Sequence, residues 1–191
     1  MRKIIIVLGV AIMLLLPHMS KAKETIKNLA PNPSLEQGEG NKVIGWAFWG
    51  WAPEGVKRTA KGIWDKEVAR TGKCSLKVIN ESETDVGTWD NGHGGAFIPV
   101  EAGKSYTVSI YMKVDSLEYP LRTNFRIGFC KVEPLKYIKS ETTRIGVGQI
   151  KQAGTWQKLT VIGKAPEGAN RLRTDFDLIG KGTAWFDDVE V

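Results

Sequence analysis

The stretch SYTVSIYMKV, residues 105–114, alternates apolar and polar side chains without a break. Val108, Ile110, Met112 and Val114 share one face, and the residues between them, including Tyr111, share the other. Side chains in a β-strand point alternately to the two faces of a sheet, so this period of two predicts a strand with one buried face and one outward face. The tyrosine is therefore expected to point outward.

Two further stretches repeat this alternation. In RLRTDFDLI (171–179) the leucines and the phenylalanine are expected inside, and in TNFRIGFCK (123–131) the inner set is Phe125, Ile127 and Phe129. If the three strands share a sheet, its outer surface is a polar floor. The members of that floor are Tyr111, Asn124, Arg126, Arg173, Asp175 and Asp177. The alternative is an ordinary solvated face on which the charges pair across strands.

The rest of the chain also consists of short alternating runs. They are separated by Gly, Pro, Asn and Asp, and no segment keeps a helical period. Strands are expected at 43–49, 56–60, 63–69, 74–80, 95–100, 105–114, 122–132, 143–148, 155–163, 171–179 and 183–191, with long loops at 81–94 and 133–142. Such a pattern predicts an all-β fold, an antiparallel β-sandwich of the jelly-roll type.

The first 22 residues form a separate unit. Arg2 and Lys3 precede an apolar run, and small residues follow it, which is the pattern of a secretory signal peptide. We therefore expect residues 23–191 to be one mature domain in a secreted, periplasmic or cell-surface protein, with no membrane association after cleavage. Loss of the signal lowers the formal charge from +6 to +3. The basic residues are scattered among acids, which argues against a nucleic-acid partner.

Only two cysteines occur, Cys74 and Cys130, although export would permit a disulfide bond. Cys74 shares a strand face with inward residues, whereas Cys130 lies opposite the face of Phe125, Ile127 and Phe129. A disulfide bond needs facing Cβ vectors, so two separate thiols are expected. Neither cysteine stands beside a histidine, which excludes a Cys/His nucleophile or zinc site on the sequence pattern.

The order and spacing of several segments resemble the CenC-like carbohydrate-binding modules of families 4, 9, 16 and 22. The segments are NLAPNPSLEQGEG (28–40), GWAFWG (45–50), ARTGKCSLKV (69–78), IPVEAGKSYTVSIYMKV (98–114) and the end of the chain from Thr155 to Val191. The resemblance implies a galactose-binding-domain-like β-sandwich that binds polysaccharide or oligosaccharide in a cleft on one sheet. It also implies association with a glycoside hydrolase, here a separately encoded one, because this chain contains no catalytic domain.

The resemblance further implies a structural calcium ion. The matching positions are Ser34 and Glu36, the backbone carbonyl of Lys73, and Asp187. Calcium takes six to eight oxygen ligands and accepts carbonyls beside carboxylates. Asp187 shares strand parity with Trp185, Val189 and Val191, so it is expected to point inward, where a lone carboxylate is costly. Hydrogen bonds from backbone amides are the alternative way to satisfy it.

Aromatic and polar side chains supply the expected sugar contacts. Within IGWAFWGWAPEG (44–55), alternation puts Trp46 and Phe48 in the core and Trp49 and Trp51 on the other face. Flat aromatic rings cover the apolar face of a pyranose, and planar amide, carboxylate and guanidinium groups bind its hydroxyls. The expected platforms are Trp49, Trp51 and Trp89, and the expected hydrogen-bonding partners are Tyr111, Arg126, Arg173 and Asp175. A core position is the alternative for Trp89.

Two other functions compete with non-catalytic sugar binding. Asp175 and Asp177 would be about 7 Å apart on one strand face, which is compatible with a glycosidase acid/base pair. Arg171 and Arg173 would hold both carboxylates ionised, however, and nothing nearby in sequence would raise one pKa. The other alternative is a cell-envelope adhesion or assembly module whose aromatic surface binds protein, because such sandwiches carry many functions.

Overall fold

The computed structural model describes residues 27–116, 122–146 and 152–191. The predicted signal peptide at 1–22 and the end of the predicted strand 143–148 lie outside the described residues. Thirteen strands are present within these ranges: β1 (Gly38–Glu39), β2 (Lys42–Val43), β3 (Ala47–Trp51), β4 (Lys61–Asp65), β5 (Ser75–Asn80), β6 (Val86–Asp90), β7 (Ile98–Pro99), β8 (Ser105–Val114), β9 (Arg122–Lys131), β10 (Lys136–Gly146), β11 (Gln157–Lys164), β12 (Arg171–Ile179) and β13 (Gly182–Glu190).

The strands form two main antiparallel sheets. The front sheet has the order β10-β9-β12-β6-β3, with β7 also paired to β12, and the back sheet has the order β11-β8-β13-β5-β4. The strands β1 and β2 make a separate small hairpin. This architecture confirms the predicted all-β antiparallel sandwich. None of the described residues forms a helix that is long and apolar enough to cross a membrane.

The core lies between the inner faces of the two sheets. Phe125, Ile127 and Phe129 of β9 are fully buried, as are Val108 and Ile110 of β8. Their alternation with polar residues directs the apolar side chains of both strands into one layer, and burying that apolar surface is the main stabilising term of the fold. Phe176 joins the sheets, because its ring stacks on Trp46 at 5.1 Å and on Phe186 at 5.6 Å between centroids.

The expected loop at 81–94 is wrong, because it contains the front-sheet strand β6. The sequence of β6, VGTWD, has turn-type residues within it, which hid the strand pattern. Gly87 is required by packing, because a Cβ atom there would collide with Val78 of the back sheet. The expected loop at 133–142 is also wrong over most of its length, since β10 begins at Lys136.

Both cysteines are free, as the sequence predicted, and both are buried. Cys130 lies on the outer face of β9, where its thiol contacts the backbone oxygen of Arg171 at 3.7 Å. Burial raises the pKa of both thiols, and the nearby Glu36 carboxylate raises that of Cys74 further. Each sulfur is therefore held in its protonated, poorly nucleophilic form at neutral pH.

Candidate functional site

A groove of about 760 Å³ runs over the outer face of the front sheet. Its lining comes from β3, β9, β10 and β12 of the front sheet and from the loop that follows β6. The lining residues are Trp49, His93, Arg126, Gly128, Tyr137, Ile138, Lys139, Arg173 and Asp175. The groove is the concave, mixed apolar and polar surface that small-molecule sites typically use.

Strand register brings the polar residues of the groove together. Asp175 in β12 lies opposite Arg126 of β9 on one side and opposite Asp90 of β6 on the other. Residues that are directly opposite on neighbouring strands share a face, so these three side chains rise from the same side of the sheet. Gly128 is opposite Arg173, and its missing side chain leaves the space that the Tyr137 ring occupies.

Asp175 forms the centre of the groove floor. Arg126 Nε donates to its Oδ2 atom over 2.8 Å, and Arg173 Nε donates to its Oδ1 atom over 2.6 Å. The side chain of Asp175 is only 4% exposed, so both charge-assisted hydrogen bonds form in a largely desolvated setting. Burial alone would lower the pKa of both guanidinium groups, but the Asp175 carboxylate together with Asp177 for Arg126, and with Asp90 and Tyr137 for Arg173, raises both pKa values.

Arg173 connects the floor to the side of the groove. Its Nη1 atom donates to the Tyr137 hydroxyl over 2.6 Å, and its Nε atom lies 3.3 Å from Asp90 Oδ1. Gly92 leaves the room for this arrangement, because a Cβ atom there would stand 2.7 Å from Arg173 Cδ. The guanidinium is thus held by three elements and acts as a fixed part of the sheet surface.

Asp177 lies deeper and outside the groove lining. Thr88 Oγ1 donates to its Oδ1 atom over 2.9 Å, and Asn124 Nδ2 lies 3.4 Å from its Oδ2 atom. Burial, and then the neighbouring Asp175 carboxylate, raise the pKa of Asp177. The expectation that nothing would raise the pKa of either carboxyl group is therefore wrong for Asp177. Sequence could not show that neighbouring strands cover it.

Aromatic rings stand at two sides of the groove. Trp49 lies on the edge strand β3, and the edge of its ring system meets His93 at 6.1 Å between centroids. His93 Nδ1 is 2.8 Å from Asp90 Oδ2, and Asp90 Oδ1 also accepts the backbone N–H of His93. On the opposite edge strand, β10, the ring of Tyr137 passes over Gly128, where a Cβ atom would stand 3.5 Å away.

A β-bulge in β10 shapes the side of the groove on which Tyr137 lies. The pairing of β10 with β9 shifts between Tyr137 and Lys139, so Ile138 is an extra residue on the edge strand. A β-bulge of this kind bends the strand and redirects its side chains. Tyr137, Ile138 and Lys139 therefore all reach the groove lining although they are consecutive.

The structure brings together four of the seven residues that the sequence predicted for sugar contact. Trp49, Arg126, Arg173 and Asp175 all line the groove. Trp51 is on the same face of the sheet but beyond the groove, with 54% of its surface exposed. It occupies the last position of β3, where the strand leaves the sheet.

Trp89 and Tyr111 do not belong to the groove, and their prediction is corrected. Trp89 points inward from β6, is 2% exposed, and donates from Nε1 to the backbone oxygen of Lys77. Its position is set by alternation within a strand that had been expected to be a loop. Tyr111 does point outward, but from β8 in the back sheet, where the Arg70 guanidinium covers its ring at 3.4 Å.

Sequence reasoning missed five residues of the lining. Three of them, Tyr137, Ile138 and Lys139, fell in the expected loop at 133–142. The alternating pattern of β10 was the available signal, but the bulge interrupts it. His93 and Gly128 carried no distinct pattern, since each depends on contacts between distant strands.

Three of the four residues expected at the calcium site, Glu36, Lys73 and Asp187, meet at the turn 70–74. Glu36 Oε1 accepts the N–H groups of Lys73 and Cys74 at 2.9 and 2.8 Å. Asp187 Oδ2 accepts those of Arg70 and Thr71 at 2.7 and 3.3 Å. Ser34 is exposed on the segment that leads to Glu36.

Asp187 is fully buried, and burial raises its pKa to about 6 despite hydrogen bonds from the Arg70, Thr71 and Asp188 amides. A buried carboxylate whose pKa is raised in this way would gain from a cation. Carboxylates such as Glu36 and Asp187, which accept from the same turn, are suitable donors for calcium, although no cluster of three or more His, Cys, Asp or Glu residues occurs among the described residues. The donor types fit the ion.

Comparison with known families identifies the class of protein. The model of the family "Carbohydrate binding domain", which groups binding modules of families 4 and 9, matches residues 27–173. The chain therefore belongs to this family of carbohydrate binding domains, and its function is non-catalytic carbohydrate binding. No curated protein matches the chain.

Solved structures share the fold at low identity. The "Family 16 Carbohydrate Binding Module-2" structure is 12% identical with a TM-score of 0.55, and the alignment covers 85% of this chain and 97% of that one. The structure of TmCBM61 in complex with beta-1,4-galactotriose is 13% identical with a TM-score of 0.54, covering 86% and 97%. Both are carbohydrate-binding modules.

A third similar structure is the enzymatically active domain of tailspike protein 4 from bacteriophage CBA120. It is 16% identical with a TM-score of 0.60. The alignment covers 85% of this chain but only 21% of the tailspike chain. The sandwich thus corresponds to a small part of that larger protein.

Proposed function

We propose that the front-sheet groove is the carbohydrate-binding site of this domain and that it takes a segment of a polysaccharide or oligosaccharide chain. One observation carries the proposal: the aromatic rings of Trp49 and Tyr137 flank a floor of fixed hydrogen-bonding groups around Asp175. A pyranose has an apolar C–H face and a rim of hydroxyls, so it needs both kinds of surface within one groove.

The fixed floor favours binding over reaction. Asp175 is held by two guanidinium groups, each of which donates to one of its carboxylate oxygens, so its position on the sheet is fixed. A preorganised floor loses little conformational freedom when a sugar binds, which improves affinity. Arg126, whose side chain is 39% exposed, is the floor residue with the most surface available to a ligand.

Affinity electrophoresis tests the site. The protein should be retarded in native gels that contain at least one polymer from a panel of xylan, β-glucan, mannan, galactan and cellulose derivatives. The variant Trp49→Ala should migrate in the same gel as it does without polymer. Unchanged migration of the unaltered protein across this panel and in gels with acidic polysaccharides would contradict the proposal, and equal retardation of Trp49→Ala would move the site elsewhere.

The partner and the location follow from this function. The charged, leader-like start of the chain supports export, which would put the domain outside the cell or in the periplasm with extracellular polysaccharide. A separately encoded glycoside hydrolase is the expected partner. Support comes from the structure of arabinose-bound MgGH51 α-L-arabinofuranosidase, 26% of whose chain aligns with this sandwich at a TM-score of 0.56. Co-purification with polysaccharide-bound hydrolases from the culture medium tests it.

A structural calcium ion is the proposed cofactor. Asp187 and Glu36 would supply carboxylate oxygens and Lys73 a backbone carbonyl, all from segments that meet at the turn 70–74. The ion would neutralise the buried Asp187 carboxylate and join the first and last segments of the sandwich. Its role would be stability, because this turn belongs to the back sheet and the groove belongs to the front sheet.

A further inference from the structure

The charged groups of the front sheet are divided by depth. Three carboxylates on β6 and β12 are nearly inaccessible: Asp90 is 0% exposed, Asp175 3% and Asp177 5%. Two basic side chains reach the surface, because the side chain of Arg126 is 39% exposed and that of His93 is 59% exposed, whereas that of Arg173 is only 11% exposed. A ligand in the groove therefore meets the Arg126 guanidinium and the His93 ring before it meets these carboxylates.

The buried carboxylates are also already engaged. Both oxygens of Asp175 accept guanidinium N–H groups. Both oxygens of Asp90 contact His93, and both oxygens of Asp177 contact Thr88 or Asn124. These contacts reduce the acceptor capacity that the floor can offer to a ligand. The groups that the groove floor can still offer to a ligand are therefore mainly hydrogen-bond donors.

Arg126 is the donor best placed for a ligand. It uses Nε, the guanidinium nitrogen nearest to the backbone, for the bond to Asp175, so its two terminal nitrogens lie beyond that bond. The terminal edge of a guanidinium is planar and matches the two oxygens of a carboxylate. Lys139, at the edge of the same groove, adds further positive charge.

We propose that the groove selects a glycan that contains uronic acid residues, and that Arg126 pairs with the uronate carboxylate. The proposal rests on the proposed function, because it requires that the groove is where the glycan binds. It goes further by naming the sugar class and the residue that recognises it. The hydroxyls of a neutral sugar donate as well as accept, and the acceptors of the floor already hold other donors, whereas a uronate carboxylate brings acceptors only.

Matched polymers test the sugar class. Glucuronoxylan, polygalacturonate and alginate are each compared with the same polymer after carbodiimide and borohydride reduction of its carboxyl groups, beside the neutral panel. We expect at least one acidic polymer to retard the protein. After chemical reduction of the carboxyl groups of that polymer, binding should be lost or should weaken roughly tenfold. Equal retardation by native and reduced polymers, or by neutral polymers alone, overturns this inference and leaves the groove as a sugar site. No retardation by any polymer overturns the proposed function with it.

Variants test the residue. Arg126→Gln should lose the preference for the native over the reduced polymer, whereas Lys42→Gln, which removes an exposed charge from the small hairpin, should keep it. Arg126→Lys keeps the charge but not the planar pairing edge, so it should bind with intermediate affinity. It is also the second variant with which the assignment is tested if Arg126→Gln does not fold. A preference that persists in both Arg126 variants would overturn the assignment of this residue.

Discussion

The guanidinium of Arg173 and the carboxylate of Asp175 lie two residues apart on β12 and are joined by a hydrogen bond of 2.6 Å from Nε to Oδ1. The Arg173 side chain is only 11% exposed, so its charge depends on this partner and on Asp90. Truncation of one partner of a buried ion pair leaves an uncompensated charge, which is strongly destabilising.

Asp175→Ala should therefore lower the free energy of unfolding by about 3–5 kcal/mol, as measured by urea denaturation. Glu101→Ala is the matched control, because Glu101 is exposed in a turn, and its effect should stay within about 0.5 kcal/mol. A value for Asp175→Ala as small as that of the control would show that the ion pair does not stabilise the sheet.

Variants of Tyr137 distinguish the contribution of its ring to glycan binding from that of its hydroxyl. Its hydroxyl accepts from Arg173 Nη1 over 2.6 Å, and its ring lies beside Gly128. We expect Tyr137→Ala to weaken glycan binding by about 2 kcal/mol, the loss typical of a central aromatic contact, and Tyr137→Phe to lose about 1 kcal/mol or less. Isothermal titration with a bound oligosaccharide measures both. A larger loss in the Phe variant would assign the effect to the position of Arg173.

The two tryptophans of β3 make a second comparison. Trp49 lines the groove and Trp51 stands beyond it on the same face. Trp49→Ala should reduce affinity for a short oligosaccharide by about 2 kcal/mol, whereas Trp51→Ala should leave it unchanged. Titrations of both variants with the same ligand check this. If Trp51→Ala were the weaker binder, the sugar would lie along the end of β3 and outside the groove.

Trp89 should behave as a core residue. It is 2% exposed and its ring meets Phe48 at 5.5 Å between centroids. Trp89→Ala should lower the free energy of unfolding by about 3–5 kcal/mol, because a large cavity would form between the sheets. Chemical denaturation measures the loss. If the variant were stable but bound sugar more weakly, Trp89 would be a sugar-contacting residue after all.

Calcium and pH should act on stability through Asp187. Its pKa is raised to about 6 by burial, so the folded state holds this proton more tightly than the unfolded state, whose pKa is near 3.8. In chelator, the contribution of Asp187 to the free energy of unfolding should fall as pH rises from about 4 to above 6, by up to about 3 kcal/mol.

Added calcium favours the ionised carboxylate, so its effect on the melting temperature should be larger at pH 7.5 than at pH 5. Thermal unfolding at both pH values, with calcium or with chelator, measures it. The Asp187→Asn variant is the control and should lose the calcium response. An identical transition with calcium and with chelator at pH 7.5 would remove the metal assignment.

Regular alternation allowed the strands with the clearest faces to be predicted. The expected bounds of β8 and β12 match the structure because both strands keep a strict period of two over nine or ten residues. Alternation also gave the inward and outward sides correctly for Arg126, Arg173 and Asp175. It does not tell which sheet a strand joins, and for this reason Tyr111 was assigned to a surface on the opposite side of the molecule.

Contacts between distant strands explain what sequence could not show. The Gly87, Thr88 and Asp90 positions of β6 look like a turn until Val78 of the other sheet is seen to exclude a side chain at Gly87. Tyr137 enters the groove through a bulge, whose position depends on pairing with β9. Neither feature has a local pattern, so Trp89 was expected outside the core and Tyr137 was not expected in the groove at all.

The two buried thiols give the domain a practical advantage for spectroscopy. Cys74 and Cys130 are both shielded, and burial raises the pKa of each, so maleimide reagents should react with them slowly. A single cysteine introduced at the groove rim, such as Ile138→Cys, could then be labelled selectively in the otherwise unaltered protein. A fluorophore at that position would report glycan capture in real time without removal of either native cysteine.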